Sequence, residues 1–78
     1  MSNHKLADAV NNFIDAKNIS FNSFDLTRIK KIQKSLKGEE FKTANDVIKE
    51  LKTVKALSES YSHADFGDLE KEIERILR

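Results

Sequence analysis

Five basic residues, Arg28, Lys30, Lys31, Lys34 and Lys37, fall in one short stretch that holds no acid. Cations at this density can neutralise the phosphates of a nucleic acid, the headgroups of a membrane surface or the carboxylates of a protein. Four of the five are lysine. An ammonium is a point charge, so the set lacks the planar forks that read base edges. Phe21 and Phe24 precede the cluster and no ring interleaves with it, which leaves no stacking platform for single strands. Phe24 stands one helical turn before Arg28, and an aromatic ring beside a guanidinium is the pairing that anchors protein interfaces. Against all of this stands a plain solvated face, with lysines in the C-terminal half of a helix where the dipole favours cations. The formal net charge is only +1, so everything outside this stretch is acidic in sum and the bias is local.

Other chemistry is thinner. His4 and Asp8 lie one turn apart, and His63 neighbours Asp65, but two histidines without a cysteine give no metal-ligand spacing. A general acid or base needs a carboxylate or imidazole held in an apolar cleft, and each acid here is expected on a polar face or at a helix cap. Asp65-Phe66-Gly67 matches the kinase metal-binding tripeptide in letters alone, since no Gly-rich loop or catalytic loop accompanies it. The expectation is no enzyme, no metal and no cofactor. A helix-turn-helix mapped onto the last two expected helices would present an acidic reader, the wrong sign for a major groove.

The elements that position these residues follow a helical period. Leu6, Ala9, Val10, Phe13 and Ile14 recur at three- and four-residue steps, predicting a helix near 4–17 with Ser2 or Asn3 as its cap. Asn18 suits the left-handed residue after it, with Ile19 folding back on Ile14. Asn22 with Asp25 resembles a capping box, and Phe21 with Leu26 has the spacing of a hydrophobic staple, so a second helix spans 22–37 and stops at Gly38. Phe21, Leu26, Ile29, Ile32 and Leu36 share its apolar arc, with the lysines opposite. Thr43 with Asp46 opens a third helix over 43–60, weakened towards the serines at 58, 60 and 62. A fourth runs over 65–77 on Phe66, Leu69, Ile73 and Ile76, a seam that suits another helix. Tyr61 and Phe41 join Phe24 as aromatics outside the main stripes.

Seventy-eight residues make one domain, too small for stability beyond a few kcal/mol and without cysteine to reinforce it. The sequence predicts an all-α, antiparallel four-helix bundle, with three helices plus a frayed segment as the fallback. No apolar run is long enough to span a membrane, the amino-terminal residues lack a secretory core, and the initial Met reads as a natural start. A cytoplasmic setting is the default. The expected function is a small non-enzymatic protein that binds a macromolecule, first of all a protein, as an inhibitor, adaptor, immunity or assembly factor. Its contact set is Phe24, Arg28, Lys30, Lys31, Lys34 and Lys37. The alternative is a nucleic-acid binder using the same basic face. Opposite charges on the second and last helices also raise a homodimer, although pairing within one chain would explain them equally.

Overall fold

Polar side chains and left-handed residues set the helix ends. Asn22 accepts the Asp25 N–H at 2.8 Å, Thr43 accepts that of Asp46 at 3.2 Å, and Ser62 accepts that of Asp65 at 3.1 Å. Each bond satisfies a backbone donor that the first helical turn cannot. The structure, a computed structural model, describes residues 4–78, so the expected Ser2 or Asn3 cap lies outside the described residues. Five helices result: α1 (His4–Asp15), α2 (Ser23–Lys37), α3 (Ala44–Lys52), α4 (Lys55–Ser60) and α5 (His63–Leu77). The described residues are all-helical, without a strand, and none of their helices is long and apolar enough to cross a membrane.

The helix expected over 43–60 is two helices, which replaces the four-helix arrangement with five. Leu51, Val54 and Leu57 are spaced by three, and on a straight helix each such step drifts by ~60°. A single helix would carry Leu57 away from the core. The chain instead breaks at Thr53–Val54, where Val54 takes an extended conformation, and all three side chains are fully buried. Thr53 Oγ1 donates to the Glu50 carbonyl at 2.6 Å, and Ser58 Oγ donates back across the break to the Lys52 carbonyl at 2.7 Å.

Three other boundaries depart from expectation. α5 opens two residues before 65, because Ser62 and Asp65 form a full capping box: the Asp65 carboxylate also accepts the Ser62 N–H at 2.9 Å. A serine read as weakening the preceding helix is thus the cap of the next. Gly38 closes α2 at a φ of −81°, and the left-handed residue is Glu39 at 55°. Leu26, expected on the buried arc of α2, is 44% exposed, while Phe21 packs against the core. Asn18, by contrast, takes the left-handed conformation at φ 50°, and Ile19 packs on the core as its position implied.

One core joins all five helices, including Leu6, Val10 and Ile14 of α1, Ile29 and Ile32 of α2, Leu51 of α3, Leu57 of α4, and Phe66, Leu69 and Ile73 of α5. α1 packs on α2 and α5, and α3 packs on α2, α4 and α5. α2 and α5 thus each pack on both α1 and α3, and any direct contact between the two oppositely charged helices is marginal.

Candidate functional site

α2 turns one arc inward and leaves the rest in water. Ile29, Ile32 and Leu36 are buried, and at ~100° per residue Asp25 falls at the centre of their arc. The expected position of Asp25 was a polar cap. It is in fact only 6% exposed, and its carboxylate leaves Asn22 and accepts the Lys55 N–H at 3.2 Å. Val54, the residue before α4, has no side chain that can cap, so Asp25 supplies from α2 the acceptor that α4 lacks. The signal was present in the sequence: Asp25 lies four residues before Ile29 and seven before Ile32, on the apolar stripe itself.

Phe24 is 81% exposed, while Phe13, Phe21, Phe41 and Phe66 all pack in or against the core. Arg28 and Lys31 follow Phe24 at four and seven residues, so the three share one outward stripe and are all exposed. Lys30, Lys34 and Lys37 are exposed as well, and the helical period puts them on the far flank of α2 beside Leu26. The expected contact set thus divides into an aromatic-cationic stripe and a purely cationic flank. Between that flank and α1, Gln33 Nε2 donates to Asn11 Oδ1 at 2.9 Å and fixes the helix pair.

The opposite side is built around Tyr61, which is partly buried rather than free for a partner. Its ring stacks on Phe13 with centroids 3.8 Å apart, and Phe66 meets the pair at an angle. The Tyr61 hydroxyl donates to the Phe13 carbonyl at 2.6 Å. Burial pushes its pKa above the usual tyrosine value, and the charge of Asp65 adds to the effect. Lys17 Nζ sits 4.6 Å from the Tyr61 centroid and donates to the Ser60 carbonyl at 2.9 Å. Beside this cluster a groove of about 380 Å³ runs between α1 and α5. Ala9, Phe13, Ala16 and Leu69 form its apolar lining, and Asp65, Asp68 and Glu72 form its α5 rim.

The Asp65 carboxyl is held below the usual aspartate value near 3.8, first by the Ser62 backbone N–H, then by the Ser62 hydroxyl, with Lys17 adding a smaller pull against desolvation. A depressed folded pKa means that its contribution to stability is complete above the ordinary value and is lost as pH falls through the folded one. Proton titration of Asp65 by NMR is expected to give a midpoint below 3.8. Ser62→Ala should raise that midpoint only in part, because the backbone N–H remains. A midpoint at or above the ordinary value would refute the capping-box account.

His4 and Asp8 lie at the start of α1, and His63 with Asp65 at the start of α5. No group of three or more potential metal ligands converges among the described residues. The chain matches no family model, and comparison with curated proteins and solved structures finds no match either.

Proposed function

We propose that this chain is a non-enzymatic helical protein that acts by binding another protein, using the Phe24–Arg28–Lys31 stripe of α2. The observation that carries this reading is Phe24, a ring 81% exposed on a chain whose other four phenylalanines are engaged with the core. Single exposed apolar residues are ordinary on protein surfaces. The setting of Phe24 is what supports a contact: a guanidinium and an ammonium share its stripe, and such residue types concentrate binding energy when a partner desolvates them. A partner surface with an apolar pocket and an acidic rim fits it. Inhibition, bridging and assembly are the roles open to such a face, in the cytoplasm, where a chain without cysteine needs no disulfide.

The test is capture from extract of the source cell with the wild-type chain, Phe24→Ala and Arg28→Ala. A discrete protein retained by the wild type and lost by both variants, at unchanged helicity, is the expected result. Recovery of nucleic acid alone would overturn it. The second reading, nucleic-acid binding, is favoured by the exposure of all five cations. It requires a log–log salt slope between about −3.5 and −4.5 if five phosphates are neutralised. Flat salt dependence would remove it.

A further inference from the structure

The groove between α1 and α5 and the outer stripe of α2 are complementary in three respects. The first is length. Asp65 and Glu72 stand seven residue steps apart on α5, and Phe24 and Lys31 seven steps apart on α2, each about 10.5 Å of helix. The second is charge. Asp65 is committed to the Ser62 cap and feels Lys17, but Asp68 and Glu72 are exposed carboxylates facing the groove mouth. Arg28 and Lys31 are the matching cations. The third is shape. Ala9 and Ala16 end at their methyl groups, so the surface of α1 is low on either side of Phe13, and the groove holds about 380 Å³ over an apolar floor. That is ample room for one phenyl ring. No residue of α2 lines the groove and Phe24 is 81% exposed, so the stripe does not fill the groove of its own chain.

We propose that this groove receives the Phe24–Arg28–Lys31 stripe of a second copy of this chain, with Phe24 over Phe13 and Leu69 and the two cations against Asp68 and Glu72. The proposal rests on the reading of that stripe as a protein-binding face and names its partner. Each copy carries one stripe and one groove, so association closes as a reciprocal pair or continues head to tail. A stripe in a groove is a small contact, below the area of a standard stable interface, and the association is therefore weak and sensitive to salt.

Sedimentation velocity over ~10 μM to ~1 mM chain reads it directly, in the range where contacts of this size associate. At ~0.1 M salt the mass should rise with concentration, and at ~1 M salt it should fall back towards the monomer. Phe24→Ala, on an exposed site that the fold does not use, should weaken association at least about tenfold. A charge exchange is the decisive arm. The double variants Arg28→Glu/Lys31→Glu and Asp68→Lys/Glu72→Lys should each be monomeric alone, with helicity intact by circular dichroism. Mixed, they should form a one-to-one complex, since the acidic stripe of the first meets the basic groove of the second. A wild type that stays monomeric throughout overturns the proposal, as does association that survives both reversals. Capture of a foreign protein through Phe24 by a chain that remains monomeric would leave the proposed function standing and remove only the second copy.

Discussion

Leu57→Ala is expected to leave little of the folded state at physiological temperature. Leu57 is fully buried and is the one core side chain that the six-residue α4 contributes. Truncating such a leucine removes about 2–5 kcal/mol, the spread reflecting how far the cavity collapses. A chain this small, without disulfides, has a total stability of only about 3–5 kcal/mol. Thermal and urea unfolding followed by circular dichroism would show the midpoint fall by tens of degrees, at about 4–8 °C per kcal/mol. Glu59→Ala, on the exposed side of the same helix, should change stability by no more than about 0.5 kcal/mol. If Leu57→Ala costs less than about 1 kcal/mol, α4 is not part of the cooperative core.

Asp25→Ala should produce the second-largest loss. It removes a buried carboxylate and leaves the Lys55 N–H, a first-turn donor of α4, without its acceptor. Losing a helix cap together with stranding a partly buried donor costs about 1–3 kcal/mol. Asp25→Asn keeps an acceptor oxygen but not the charge, and neutral hydrogen bonds are roughly half as strong as charge-assisted ones, so its loss should be smaller. Hydrogen exchange supplies the local reading: the Lys55 amide should exchange faster in the alanine variant by more than the global destabilisation accounts for. Equal effects at Lys55 and at core amides of α1 would show that Asp25 acts only through general stability.

The parts of this fold legible in the sequence are those governed by neighbours in the chain. Asn22, Thr43 and Asn18 act within a few residues, and each does what its type and position imply. The inward stripes of α1, α2 and α5 are equally local, since they need only a period. What escaped was set by partners far along the chain. Asp25 looks like a cap acid until Lys55 is brought beside it, and Tyr61 looks free until Phe13 lies under its ring. The break at Thr53–Val54 was detectable in the three-residue spacing of Leu51, Val54 and Leu57, which a continuous helix cannot keep on one face. The groove was not: Ala9 and Ala16 are unremarkable on α1, and Asp68 and Glu72 are unremarkable on α5, until the two helices meet.

The cross-links between distant segments also dictate an order of events during synthesis. Phe13 waits for Tyr61, Lys17 for Ser60, and Asp25 for Lys55. Every one of these bonds ties the first third of the chain to a residue made well after its midpoint. A ribosome delivering the chain from its N-terminus therefore releases α1 and α2 with their apolar stripes uncovered, and neither helix alone is long enough to persist in water. Folding is therefore expected to wait until α4 and Tyr61 have been made, and a chain interrupted before Tyr61 is expected to leave its apolar stripes open to chaperones and proteases.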